Sequence, residues 1–192
     1  MSAQGEVEHT IPARGSAALT WLACLVALAA SAGSVYLSVW MNLRACPLCF
    51  YQRSFAFAAF GVLLVGLFTG ARRAGLSLLA LPLAVAGLGV AGFHVYLEWT
   101  GALECPQGIQ DVGTAPQQSL AAFALLTLIL VLAILSGGVS KRTLVVALIG
   151  TAILGGIFAA ASIISSPPMP PTPTKAYAPN SLDMCRPPYK GS

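Results

Sequence analysis

The sequence predicts an all-α integral membrane protein, a bundle of five transmembrane helices, on three observations. Of 192 residues, 57% are hydrophobic and only 8% are charged, where a soluble domain carries about 25% charged residues. Uncharged apolar runs recur at about 17–40, 54–70, 75–97, 119–139 and 143–164, each near the roughly 20 residues a helix needs to cross the hydrocarbon. The connections between them are short, which leaves no stretch for a soluble domain, and no internal repeat is visible.

The first run contains Ala30-Ser31-Ala32, a small-residue pattern found at signal cleavage sites. It is nonetheless longer than an ordinary signal-peptide core, and Glu6 and Glu8 precede it where positive charge is required, so it reads as an uncleaved span. The second run is short alone and reaches full length if its helix begins at Pro47. Proline suits the first helical position because its missing N–H has no partner there in any case. The third run ends at His94 and Glu98, four residues apart and so on one helix face. Trp40, Tyr51, Tyr96 and Trp99 fall at the same boundary, the pattern of an interfacial aromatic belt. Beyond the fifth run, Ser165 to Thr174 is a Pro-rich spacer; the roughly 20 residues from Ser165 to Cys185 extend at most about 60 Å. The expected organisation is a cytoplasmic N-terminus (1–16), a bundle (17–164, the second span taken as 47–70) and an extracytoplasmic tail (165–192).

Orientation rests on the short loops. Arg72 and Arg73 lie between spans two and three and Lys141 and Arg142 between four and five, whereas the 100–118 loop has no Lys or Arg and carries Glu104 and Asp111. The basic loops are therefore expected inside. Arg44, Arg53, Lys175, Arg186 and Lys190 fall on the outer side and balance the totals. With five crossings, Cys46, Cys49, Cys105 and Cys185 all emerge on the outer, oxidising face, where disulfides persist. Cys24 sits mid-span and reads as a small packed hydrophobe. A net charge of +4 without a basic stripe excludes nucleic-acid binding.

With Pro47 opening the helix, Cys46 lies at its cap and Cys49 in its first turn. There the free N–H groups and the helix dipole favour an anion, so a Cys49 thiolate is stabilised. A thiolate is the species that attacks disulfides and donates electrons. Arg53, four residues on, shares that face, and an intramembrane Arg is a functional candidate. It stands ready to stabilise the thiolate or to donate to a carbonyl oxygen of a lipid-soluble acceptor; the competing reading is a snorkelling interfacial Arg. A c-type haem site requires His where Phe50 stands. Structural zinc requires closed tetrahedral ligation, which a Pro-rich arm carrying Cys185 is poorly built to hold, so no metal is expected.

The run Cys46-Pro47-Leu48-Cys49-Phe50-Tyr51-Gln52-Arg53 resembles the disulfide bond formation protein B (DsbB) family, whose pattern is CxLC, an aromatic pair and Gln or Glu before Arg. The resemblance extends over about residues 17–140 and implies a four-helix core, here with a fifth span added. It implies that Cys46 and Cys49 pass electrons to a membrane quinone, ubiquinone or menaquinone, with Cys49 beside the ring and Arg53 on a quinone oxygen. It also implies that a second cysteine pair oxidises a DsbA-like thioredoxin-fold protein at the bacterial cytoplasmic membrane, supporting disulfide formation. Family members usually carry that second pair in one outer loop. Here the loop holds only Cys105, and the remaining outer cysteine is Cys185, so a Cys105–Cys185 disulfide is expected beside Cys46–Cys49, with Cys105 meeting the partner. His94, placed at the quinone, is a candidate to relay the protons its reduction consumes, with Glu98 a weaker one; the competing reading is interfacial polar residues that end a span. The rival readings are a vitamin K epoxide reductase-like protein or another membrane electron carrier, and a non-enzymatic membrane protein stapled by structural disulfides.

Overall fold

The computed structural model describes residues 14–138, 140–173 and 182–189; Glu6, Glu8, Lys175 and Lys190 lie outside them. The chain is all-helical, with α1 at Arg14–Val39, α2 at Pro47–Phe68, α3 at Arg73–Trp99, α4 at Ala115–Leu135 and α5 at Lys141–Ile164. A 3-10 turn occupies Ile109–Asp111. All five α-helices are long and apolar enough to cross a membrane. Helices are what such a chain must form, because each backbone N–H and C=O in hydrocarbon needs a partner within its own segment. Arg73, Lys141 and Arg142 stand in the first turns of α3 and α5 rather than in the connecting loops.

Helices α1 to α4 form a ring in which each packs on its neighbours, α4 closing against α1, and α3 also touches α1 across the ring. In the most apolar stretch of α3, 56% of residues are buried, against 17% in α5, so α3 is the central helix and α5 an outer one. Leu63, Leu81, Leu126, Leu130 and Ile134 fill the middle of the bundle with almost no exposure. Cys24 is packed among them on α1. Large apolar side chains such as Leu25, Val65, Leu79, Leu128 and Ile157 face outward. In water they would form an extensive sticky patch; facing lipid they have the solvent they require.

Small residues dock α5 on α3, as is usual where lipid removes the hydrophobic drive for association and close contact must supply it. At Gly155 a Cβ would stand 2.7 Å from Val85 Cγ1 and 2.9 Å from the Pro82 carbonyl oxygen. A Cβ at Gly89 would stand 2.8 Å from Ala159 Cβ. Because successive helices alternate in direction, the C-terminus of α1, both ends of the α3–α4 loop, the N-terminus of α2 and the C-terminus of α5 meet at one end of the bundle.

The glycine contact is testable by paired substitutions. Gly155→Leu is expected to lower stability in detergent by about 1–3 kcal/mol through overpacking. Gly156→Leu, where the added side chain meets open space, is expected to stay within about 0.5 kcal/mol; thermal unfolding followed by circular dichroism reads both.

Candidate functional site

Cys46 is the N-cap of α2, its backbone extended at φ −68° and ψ 165° and followed by Pro47 in the first turn. Its Sγ accepts the Cys49 backbone N–H at 3.2 Å, the bond that a serine oxygen makes in an ordinary cap. The Cys46 thiol in turn donates to Cys49 Sγ at 2.7 Å. Cys46 and Cys49, expected from sequence as a disulfide, carry no S–S bond here; the cap geometry holds their sulfurs side by side. Cys46 is fully buried and Cys49 half-buried. The hydrogen bond to Cys49, and after it burial, pushes the Cys46 thiol well above the ordinary cysteine range.

His94, in the last third of α3, is completely buried behind this cap. Gln52 Nε2 donates to its Nδ1 at 3.2 Å, which leaves the imidazole proton on Nε2. That nitrogen lies 3.8 Å from Cys46 Sγ and 3.5 Å from Cys105 Sγ. The sequence reading sends His94 toward a quinone; in the structure it does not line the cavity described below, because α3 stands behind the cap of α2 and aims the ring at sulfur. Glu98, one turn further, accepts a hydrogen bond from Thr114 Oγ1 at 2.9 Å, so it ties α3 to the start of α4.

Cys105 and Cys185 are bonded across a separation of 80 residues. The tail reaches Cys105 through a short antiparallel pairing, Glu104 N–H to the Arg186 carbonyl at 2.8 Å and Arg186 N–H to the Glu104 carbonyl at 3.0 Å. Asp183 holds the other side, accepting the Arg44 backbone N–H on its carbonyl at 2.6 Å and pairing with the Arg44 guanidinium at 3.5 Å. The Gln118 side chain fixes the loop by bonding Ile109 N–H at 3.0 Å and the Ile109 and Val112 carbonyls at 2.9 Å each. Of the bonded pair, Cys185 is 2% exposed and Cys105 is the more open. Sulfurs of Cys46, Cys49 and Cys185 and a ring nitrogen of His94 all lie within 4.8 Å of one another.

Beside this cluster a cavity of about 370 Å³ opens between α1, α2 and α4, with Ser34, Cys49, Gln52, Arg53, Phe123 and Cys185 among its lining residues. Arg53 does not reach for Cys49. Its Nε donates to Ser34 Oγ at 2.8 Å, and its Nη2 donates to the Ser34 carbonyl at 2.9 Å and to Ser38 Oγ. Those partners are neutral, and among the described residues no carboxylate pairs with this guanidinium. A half-buried cation held by hydroxyls at the wall of a largely apolar cavity suits an uncharged ligand that carries an electronegative oxygen.

Sequence reasoning missed Ser34, Ser38, Gln118 and Asp183, and named Gln52 only as part of a motif. The serines had a legible signal, since two hydroxyls four apart in an apolar span share one helix face. The grips of Gln118 and Asp183 depend on loop and tail geometry that no periodicity reports.

A family model described as "Disulfide bond formation protein DsbB" matches residues 16–123. The match includes Cys46, Cys49, Arg53, His94 and Cys105 and stops short of α5 and Cys185. A probable disulfide formation protein of Deinococcus radiodurans is 42% identical over 79 residues, 41% of this chain and 50% of that protein. Disulfide bond formation protein B of Burkholderia pseudomallei is 36% identical over 98 residues, 50% of this chain and 58% of its own. The chain thus spans only half to three fifths of the length of these curated relatives. A probable disulfide formation protein of Chlamydia trachomatis is 32% identical over 123 residues, 59% of this chain and 90% of that protein. No solved structure matches the chain.

The raised Cys46 thiol has a defined pH signature in the dithiol form. An ordinary cysteine ionises near about pH 8.5, whereas Cys46 stays protonated through that range. Its labelling by iodoacetamide, followed by mass spectrometry, is expected to lag and to keep rising beyond pH 9 without a plateau.

Proposed function

The chain belongs to the disulfide bond formation protein B family, and on that premise we propose that it reoxidises a DsbA-like thioredoxin-fold dithiol protein and passes the electrons to a membrane quinone. The observation that carries this reading is the gathering of Cys46, Cys49 and Cys185 sulfurs within 4.8 Å, with Cys49 and Cys185 on the wall of the Arg53 cavity. In this reading a partner thiolate attacks Cys105, the more open sulfur of its pair, and Cys185 leaves as thiolate. Cys185 attacks Cys46 in the oxidised Cys46–Cys49 pair, so the Cys46–Cys185 bond forms and Cys49 leaves as thiolate. The second partner thiol then releases Cys105, Cys105 recaptures Cys185, and Cys46 and Cys49 are left as the dithiol.

A quinone, when bound, supplies the two-electron sink. The cavity fits it: its volume lies within the range of small-molecule sites, its walls are largely apolar, and Cys49 and Arg53 share it. Cys49 is the sulfur from which the electron pair departs. Ser34 and Ser38 hold the Arg53 guanidinium where an N–H can meet a carbonyl oxygen, and the lipid-filled surroundings keep water from the thiolate.

The membrane is the bacterial cytoplasmic membrane in this proposal, with the cysteine end outward. Arg72, Arg73, Lys141 and Arg142 stand at the opposite end of the helices, which favours that end as the cytoplasmic one. The N-terminal residues are then cytoplasmic and the tail from Ser165 extracytoplasmic.

The test is quinone reduction by purified protein, read as loss of ubiquinone-1 absorbance on adding a reduced thioredoxin-fold dithiol protein. Cys49→Ser, Cys105→Ser and Cys185→Ser are each expected to slow turnover by roughly 100-fold or more, and Cys24→Ser to leave it unchanged. Partner oxidation at the normal rate by Cys185→Ser would overturn the relay.

A further inference from the structure

One buried side chain faces both cysteine pairs, and the relay leaves it without a task. Electron passage from one pair to the other carries a negative charge through the interior. Cys185 starts as thiolate, the bond to Cys46 forms as the Cys46–Cys49 bond breaks, and the electron pair ends on Cys49. No proton and no outside oxidant takes part. Most of that path is closed to water, because Cys46 and His94 are wholly buried and Cys185 almost so, and only Cys49 is partly open. A buried charge without a hydrogen-bond donor is costly.

Resting on that relay, we propose that His94 is the catalytic hydrogen-bond donor for disulfide exchange between the two cysteine pairs. Its Nε2 lies 3.8 Å from Cys46 Sγ and 3.5 Å from Cys105 Sγ, so one N–H addresses a sulfur of each pair. The same cluster brings Cys49 and Cys185 sulfurs within 4.8 Å. Gln52 decides which nitrogen carries the proton: its Nε2 donates to His94 Nδ1 at 3.2 Å, so the hydrogen points at sulfur and not into the helix packing. In the step that closes the relay Cys105 enters on Cys185 as the Cys46–Cys185 bond breaks and Cys46 leaves; a donor shared between that entering and that leaving sulfur lowers the barrier by meeting charge as it moves, without being consumed. His94 acts in this scheme on sulfur-to-sulfur transfer, not on proton delivery to the acceptor in the cavity, whose wall it does not form.

Two amides separate this role from a packing role. His94→Gln carries an N–H to the reach of Nε2, whereas His94→Asn reproduces Nδ1 and stops short of the sulfurs. If the ring merely satisfies Gln52, Asn is the better substitute; if it serves the sulfurs, Gln is. The fully oxidised chain, purified in detergent without partner or quinone, is treated with one equivalent of dithiothreitol. Acid quenching, alkylation and mass spectrometry then follow the remaining disulfide among Cys46–Cys49, Cys46–Cys185 and Cys105–Cys185. His94→Asn is expected to slow this redistribution roughly 10- to 100-fold, the scale of a hydrogen bond to a charged group, and His94→Gln to restore most of the rate. Redistribution in His94→Asn as fast as in the unaltered chain, or in His94→Gln as slow as in His94→Asn, overturns the proposal. A disulfide that never moves between pairs in the unaltered chain overturns the relay itself and this role with it.

Discussion

The bond between Cys105 and Cys185 is the constraint on which the geometry at this end of the bundle depends. The α3–α4 loop carries one cysteine and the tail beyond α5 carries the other, 80 residues on, so chain connectivity does nothing to bring them together. Their approach comes from noncovalent contacts on either side of Cys185: the Glu104–Arg186 backbone pairing toward the loop, and the Asp183–Arg44 contacts toward the turn that leads into α2. The second of these also sets Cys185 against the cap of α2. A tail fastened at only one side would leave the disulfide formed but distant from Cys46. A fifth helix is what makes the arrangement topologically possible, since an odd number of crossings returns the chain to the end where Cys46 and Cys105 already stand. The small-residue contacts of Gly155 and Gly89 hold α5 on α3, so a packing feature within the bundle positions a sulfur at its rim.

Polar groups near the cysteines are sparse, and each has a defined partner. Arg53 is secured by two serines of α1, His94 by Gln52 of α2, and Glu98 by Thr114 at the start of α4. Neutral holders leave the Arg53 charge unspent and the His94 Nε2 proton facing sulfur. Carboxylates in those positions would neutralise the one and reverse or fix the protonation of the other. The cluster therefore separates into two sides that share Cys49 and Cys185: a sulfur side around the buried His94, and a cavity side with Arg53.

Much of the architecture was legible in the sequence because hydrocarbon imposes a strict length and composition on any spanning helix. The cap at Cys46-Pro47 was legible for a local reason, proline's preference for a first turn. Side-chain direction was the harder part. Spacing put Arg53 and Cys49 on one helix face, yet the guanidinium turns to α1, where Ser34 and Ser38 offer three acceptor contacts. His94 was recognised as a polar residue at a span's end, but spacing could not report that α3 lies behind the cap of α2, with the ring beside sulfur and not on the cavity wall. The tail was read as a long arm; what the reading lacked was Asp183 and Arg186, whose backbone bonds dock it and leave no trace in composition.

The most direct measurement of the central claim is a redox titration of the purified protein with and without a ubiquinone analogue, the state of each cysteine pair being read by alkylation and mass spectrometry. Two reversible two-electron couples are expected, with that of Cys46 and Cys49 shifting when the quinone is present and that of Cys105 and Cys185 in exchange with it. Two bonds that resist reduction to potentials below about −300 mV, as structural disulfides do, and that ignore the quinone would contradict it.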